Sequence, residues 1–280
     1  MTQGPNITGA TRLYAIIGDP IAQVRSPEVF TQRFAEQAID AVMVPVHVPA
    51  DHFDTIAPAL LAVGNLDGVL VTIPFKARMA AYAARIGATG TTIGAVNALR
   101  REGDGSWTGD MFDGVGFVRG AERKAQRIRG RRVVLFGAGG AGSAIACELA
   151  QGDVESIDII DTDASKATHL AATLTRAFPQ CTFVTASALR DDIDMIVNAS
   201  PVGMRPDDGM PGVIGRLHPG ILVGDVVITP TPTALIRHAM QAGCPWVDGR
   251  DMHAGQVDAL LAFFAATSRA ANATASGATH

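Results

Sequence analysis

The chain of 280 residues is 48% hydrophobic and 18% charged, enough apolar side chain to fill one large or two ordinary cores. Its net charge of −4 comes with no basic stripe, so no nucleic-acid partner is expected, and no apolar run reaches the roughly 20 residues a membrane helix needs. Cys147, Cys181 and Cys244 stand far apart with no C-x-x-C pair, which argues against a disulfide framework or a zinc site, so no metal is expected.

Residues 1–11 are polar and lack the basic start and apolar centre of a signal peptide, so a cytoplasmic protein is expected. Strands and helices then alternate. Residues 13–17 read as a buried strand ended by Gly18-Asp19-Pro20, and 27–38 as a helix with Ser26 as N-cap and Pro27 at the first helical position. Strand 42–48, helix 51–63, strand 68–73 (stopped by Pro74) and helix 75–86 follow. Residues 94–99 and 107–111 flank the turn-like Arg101-Glu102-Gly103-Asp104-Gly105 and suggest a hairpin. A helix over 113–127 leads into the next set of units. Beyond Asp161 come helix 164–178, strands 182–185 and 194–198, a Pro/Gly-rich loop over 201–212, strand 221–227, helix 233–242 and strand 245–247. A last helix over 252–271 precedes a small, polar tail over 270–280, expected to fray. Repeated βα units imply two α/β domains with mainly parallel, doubly wound sheets and a break near 111–114.

The stretch 132–161 carries the chemistry most openly. An apolar run, Val133-Val134-Leu135-Phe136, meets Gly137-Ala138-Gly139-Gly140-Ala141-Gly142, then a helical segment over 143–150 and a second apolar run ending in Asp161. Gly137, Gly139 and Gly142 keep the G-x-G-x-x-G register. The first permits the tight turn, the second lets backbone approach a pyrophosphate, and the third lets helix and strand pack closely, with the helix N-terminus facing the phosphates. Asp161, about twenty residues on, is placed to accept from a ribose diol. Strand, turn, helix, strand and acid agree on a dinucleotide site. A methyltransferase with an adenosine cofactor uses a similar turn and acid, but leaves the first hundred residues unexplained.

Six further motifs, in order, resemble those of the shikimate/quinate dehydrogenase family. Ile16-Ile17-Gly18-Asp19-Pro20-Ile21 with Ser26-Pro27 is similar to its opening motif. Val71-Thr72-Ile73-Pro74-Phe75-Lys76 resembles N-V-T-x-P-x-K, and Gly94-Ala95-Val96-Asn97 resembles G-A-V-N-T. Gly109-Asp110-Met111-Phe112-Asp113-Gly114 resembles G-D-N-T-D-G, and Asn198-Ala199-Ser200 with Gly203-Met204 resembles N-A-T-x-x-G-M. Met252 and Gln256 stand where the family carries M-L-x-x-Q.

The resemblance covers almost the whole chain and implies reversible oxidation of a ring hydroxyl to a ketone, with hydride passing to a nicotinamide. Such a step needs a group for the hydroxyl proton and charge to steady a developing alkoxide. The family's lysine and aspartate for this map to Lys76 and Asp113. Ser26, Thr72, Asn97 and Gln256 map to substrate contacts. Asn198, Ala199 and Met252 join the Gly137–Gly142 turn and Asp161 as cofactor contacts. The implied layout is a substrate-binding and catalytic domain over 1–112, completed by a returning helix over 252–272, and a dinucleotide-binding Rossmann domain over 113–251. The implied partner is a small hydroxylated ring carboxylate, bound by a monomer or homodimer.

Several motif positions depart from the family. Its opening H-S-x-S-P holds a substrate carboxylate with two serines. Here Val24 replaces the first, and Arg25 beside it offers a replacement charge or a solvated loop residue. Leu70, Ala98, Met111, Phe112, Ile228 and His253 replace Asn, Thr, Asn, Thr, Tyr and Leu, which implies a more apolar pocket. NADP-using members carry Asn-Arg-Thr after the second Rossmann strand. Here Asp161-Thr162-Asp163 sets two carboxylates against a 2′-phosphate, so NAD is expected over NADP. Two other readings are a non-catalytic metabolite sensor on this fold and a methylenetetrahydrofolate dehydrogenase-like enzyme. The kept Lys76 and Asp113 oppose the first, and the order of the motifs opposes the second.

Overall fold

β1 (Arg12–Gly18) is buried on both faces from Tyr14 onward and divides the first unit's interior: Ala15 and Ile17 face one layer, Tyr14 and Ile16 the other. The computed structural model describes residues 6–276 apart from 206, so the outer ends of the polar start and of the expected frayed tail lie outside the described residues. The chain divides into two compact units, Met1–Met111 with Leu260–His280, and Phe112–Ala259.

In the first unit α1 (Ser26–Glu36), β2 (Ala41–His47), α2 (Phe53–Leu61), β3 (Leu66–Val71), α3 (Lys76–Met79), β4 (Arg85–Ile86), α4 (Ala88–Ile93), β5 (Ala98–Arg101) and β6 (Trp107–Asp110) follow β1. The sheet order is β2-β1-β3-β5-β6-β4. Strands β1, β2 and β3 are parallel, but β5 runs antiparallel to both β3 and β6, so this sheet is mixed rather than mainly parallel. One face buries Phe53, Leu61, Phe75, Met79 and Trp107 against Ile17 and Val69.

The second unit holds α5 (Asp113–Arg123), β7 (Arg132–Phe136), α6 (Gly140–Gln151), β8 (Ser156–Ile160), α7 (Ala164–Ala177), β9 (Thr182–Thr185), β10 (Met195–Asn198), β11 (Leu222–Asp225), α8 (Ala234–Gln241) and β12 (Trp246–Asp248). Its sheet is parallel throughout, in the order β12-β11-β10-β7-β8-β9. The order reverses direction between β7 and β10, the switch point where open α/β sheets receive ligands. Cys147 is buried on α6.

The last helix, α9 (Gly249–Ser276), starts in the second unit and belongs to the first from Leu260 onward. Within the first unit its Phe264 ring lies 5.0 Å from Tyr14 and 6.2 Å from Phe30. Arg100 of β5 donates to the Phe263 carbonyl at 2.9 Å and covers the Phe263 ring. Among the described residues no helix is long and apolar enough to cross a membrane.

Four local expectations fail. The expected helix over 75–86 stops after α3 because main-chain groups switch to the sheet edge: Ala84 N–H donates to Trp107 O and Gly87 N–H to Gly109 O. A short helix, α4, was not foreseen, and residues 94–97 form its left-handed exit at Gly94 and a loop rather than strand. Ser26 does not cap α1: Arg25 is the capping position, no side chain bonds the cap, and Ser26 is a buried helical residue. The helix expected over 113–127 ends at Arg123, where Ala125 takes a left-handed φ of 56°.

Candidate active site

In the second unit the glycine-rich turn is a cradle with its shape fixed by contacts. Gly137 has φ of +97°, and a Cβ there would sit 2.8 Å from Ser200 N. A Cβ on Gly142 would lie 1.9 Å from Gly137 O, so this glycine packs α6 on the turn's carbonyl rather than on the strand. Space beside Gly139, the residue before α6, is open. The free N–H groups of Gly140, Ala141 and their neighbours at the N-terminus of α6 give this open side an anion-binding character. Asp161 sits at the edge of the turn: its Oδ2 accepts from Ala138 N–H at 2.7 Å and its Oδ1 from Asp163 N–H at 2.8 Å. The acid therefore braces the turn as well, with lone pairs to spare for a diol. Asp163 caps α7, and the Ser165 hydroxyl and N–H hold its carboxyl below the usual range. A dinucleotide fits these residues.

Next to the turn, Asn198 ends β10 fully buried. Its amide donates to Asp225 Oδ1 at 3.0 Å and to Val202 O at 2.9 Å, while its Oδ1 accepts from the Ser200 hydroxyl at 2.6 Å. Ala199 N–H donates to Phe136 O, so the loop after β10 lies against the turn. Asp113 opens α5 and is 4% exposed. Along α5, Gly116 passes α9 closely enough that a Cβ would lie 2.6 Å from Met252 O and 2.8 Å from Gln256 Cβ. Met252 is buried there, and the buried Gln256 Oε1 finds no hydrogen-bond partner among the described residues.

In the first unit, Thr72 directly follows β3, and its N–H donates to Ile17 O. Its methyl group occupies the space a Cβ on Gly18 would take. Lys76, half-buried, opens α3, and its carbonyl accepts from Val96 N–H at 3.0 Å. The neighbouring Asn97 is 6% exposed, its main chain bonded to Val71 and Asp110. Thr72, Lys76 and Asn97 thus share the carboxyl end of β3, and Ser26 follows the carboxyl end of β1.

The departures sort by burial. Leu70, Ala98 and Met111 are 4%, 0% and 1% exposed, so those three changes sit in sheet packing rather than on an open surface. Arg25 pairs with Glu28, its Nε 2.7 Å from Oε1, and both are well exposed, which makes it a solvated loop residue rather than a substitute anion grip. Among the described residues no three His, Cys, Asp or Glu side chains form a metal-sized group.

Two residues of this region escaped the reading of the sequence. Asp225 is 1% exposed at the end of β11, where it accepts from Asn198, Val227 N–H and the Thr233 hydroxyl. An acid interrupting the apolar run over 221–227 was the available signal. Thr233 also caps α8 through Ile236 N–H.

Comparison with known proteins points to one family. Residues 16–99 match the family model described as the shikimate dehydrogenase substrate binding domain. A shikimate dehydrogenase (NADP(+)) of Symbiobacterium thermophilum is 34% identical, over 87% of this chain and 85% of that protein. The shikimate 5-dehydrogenase of Listeria monocytogenes, solved with shikimate and NAD, superposes with a TM-score of 0.81 at 28% identity, covering 91% of each chain. Quinate dehydrogenase of Corynebacterium glutamicum, solved with NAD, also gives 0.81 at 28% identity, covering 91% of this chain and 93% of that one. The sheet orders, the glycine cradle and these likenesses converge: the chain belongs to the shikimate dehydrogenase family, as an NAD(P)-dependent oxidoreductase acting on CH–OH groups.

Proposed function

We propose that the protein catalyses the reversible, NAD-dependent oxidation of a ring hydroxyl in shikimate, quinate or a related hydroxylated ring acid. The observation that carries this reading is the retention of Lys76 and Asp113, each in its motif, in a chain matching a shikimate dehydrogenase over 87% of its length. The substrate and catalytic role falls to residues 1–112 with 252–272, and the dinucleotide to 113–251.

A bound nicotinamide dinucleotide supplies the hydride acceptor. Lys76 takes the proton of the reacting hydroxyl and steadies its oxygen as charge develops, and Asp113 supplies the second polar group the family assigns to this step. Thr72, Asn97 and Gln256 serve the remaining hydroxyls; the unpartnered Gln256 Oε1 supports a ligand contact there. Ser26 keeps one hydroxyl toward a ring carboxylate, and Val24 withholds the other. Asn198, Ala199 and Met252 border the dinucleotide, and the Gly137–Gly142 turn with Ala138, Gly139, Gly140 and Ala141 takes its pyrophosphate.

Preference for NAD rests on Asp161 and Asp163. Both carboxylates border the place a 2′-phosphate would take, and Asp163 is held ionised by its cap. Solved relatives carry NAD in some cases and NADP+ in another, and the curated relatives are named for NADP(+), so the preference rests on these two residues.

The test follows reduced-cofactor absorbance with shikimate, quinate and other ring acids, with each dinucleotide in turn. Turnover of a ring acid, at least about tenfold more efficient with NAD than NADP, is expected. Equal or better kinetics with NADP would overturn the cofactor assignment. Tight ring-acid binding without turnover would replace the enzyme with a metabolite sensor.

A further inference from the structure

Asp225, a carboxylate buried at the carboxyl end of the second unit's sheet, has no cation beside it among the described residues. Its Oδ1 accepts from Asn198 Nδ2 at 3.0 Å and Val227 N–H at 3.1 Å, and Oδ2 accepts from the Thr233 hydroxyl at 2.7 Å. Its charged neighbour is another acid, Asp248 on β12. Burial, less the relief from those three donors, pushes its carboxyl up to about 6.

What Asp225 does hold is the start of two loops. Through Asn198 it fixes residues 199–203, because Asn198 is bonded to Ser200 and Val202. Directly and through Thr233 it fixes both ends of residues 226–233. The first loop presses on the glycine turn, with Ala199 and Ser200 main-chain atoms within 2.9 Å of the position a Gly137 Cβ would take. Each loop also exposes a large apolar side chain: Met204 and Ile228 are both 43% exposed. Exposed apolar side chains held on rigid loops beside a cofactor turn suit a flat ring ligand.

The sheet order says which ring. Asp161, after β8, marks the adenosine side, and the turn after β7 takes the pyrophosphate. A dinucleotide laid across the switch point therefore continues in the opposite direction, over the ends of β10 and β11. We propose that Asp225 is a positioning residue that, through Asn198 and Thr233, sets the loops over 199–204 and 226–233 to receive the nicotinamide half of the dinucleotide. This rests on the dinucleotide reading given above.

The test is calorimetric binding of NAD and of ADP-ribose, which lacks the nicotinamide, to the full chain. Asp225→Ala should weaken NAD by about tenfold or more while ADP-ribose stays within about twofold, since a small misplacement of a binding wall suffices for such a loss. Asp225→Asn, which keeps the shape and an acceptor, should recover NAD binding to within about threefold of wild type. A merely structural role would lower the folded fraction and leave both affinities per folded molecule unchanged, and that result overturns the proposal. Equal weakening of both ligands overturns it too. If Asp225→Ala does not fold, Thr233→Val must show the same split in smaller degree, and its absence there counts against the proposal. Failure of the wild-type chain to bind either NAD or NADP would instead sink the dinucleotide reading itself.

Discussion

The two sheets present their functional groups by different means. In the second unit the parallel sheet delivers mostly main chain, a positive-φ glycine and a helix N-terminus, with one side-chain carboxylate bonded to a turn amide. In the first unit the mixed sheet delivers side chains on short connecting pieces, with Lys76 opening a helix of four residues and Asn97 in a loop. A main-chain site survives most substitutions that keep the backbone path. A side-chain site can be retuned, or lost, by one substitution. The glycine register is whole, whereas the departures from the family's motifs fall on side-chain positions of both units, Val24 and Met111 in the first and Phe112, Ile228 and His253 in the second.

The largest expected effect probes the side-chain half. Lys76→Ala should cut turnover by about 10²–10⁴-fold, the usual share of a general acid–base group, with NAD affinity little changed because Lys76 is not part of the glycine turn. Asp113→Asn should also cut turnover strongly while keeping shape. Steady-state kinetics beside a binding titration decides; undiminished turnover in Lys76→Ala would end the proposed mechanism.

Asp161→Ala probes the second unit's side-chain contribution. The turn should still take a dinucleotide, but discrimination against NADP should shrink by about tenfold or more as one of two carboxylates leaves. An unchanged NAD-to-NADP ratio in kcat/KM would locate the discrimination elsewhere.

A third comparison concerns pH. Asp225 is raised from 3.8 to about 6 in the folded state, so the folded chain holds a proton there that the unfolded chain has already released. Its contribution is therefore favourable below pH 3.8 and is lost as pH rises toward about 6. Relative to wild type, Asp225→Asn should gain about 2–3 kcal/mol of stability between those limits, the free energy of holding that proton over the whole interval. Urea unfolding of both proteins at several pH values reads this directly; a pH-independent difference would refute it.

The smallest effect is Val24→Ser. Restoring one hydroxyl toward a ring carboxylate should lower the KM for shikimate by about two- to tenfold, the worth of one hydrogen bond. No change would mean that the preferred substrate makes no carboxylate contact at this position.

How far the sequence could be read follows the same division. The second unit's strands are buried on both faces and its turns are marked by glycine, so apolar runs and the G-x-G-x-x-G register led to β7, α6 and β8 directly. In the first unit the run over 75–86 looked helical because Ala, Met and Tyr satisfy that periodicity, yet bonds to Trp107 and Gly109 drew the chain onto a strand edge. Those partners lie some twenty residues away and leave no local mark. Lys76, Asn97 and Asp113 were visible through motif resemblance and not through periodicity. Asp225 was missed because a single acid after an apolar run has no pattern until Asn198 and Thr233 are seen around it.

The shared helix α9 also has a consequence for synthesis. Tyr14, Phe30 and Phe34 are among the first core residues to leave the ribosome, but Phe264, the ring that joins their cluster, comes in the last helix. Part of one face of the first sheet, beyond what α1 covers, therefore stays open until α9 has been made. The unit that begins first is finished last, and a chain cut short before Leu260 would leave that aromatic face open to whatever apolar surface it met.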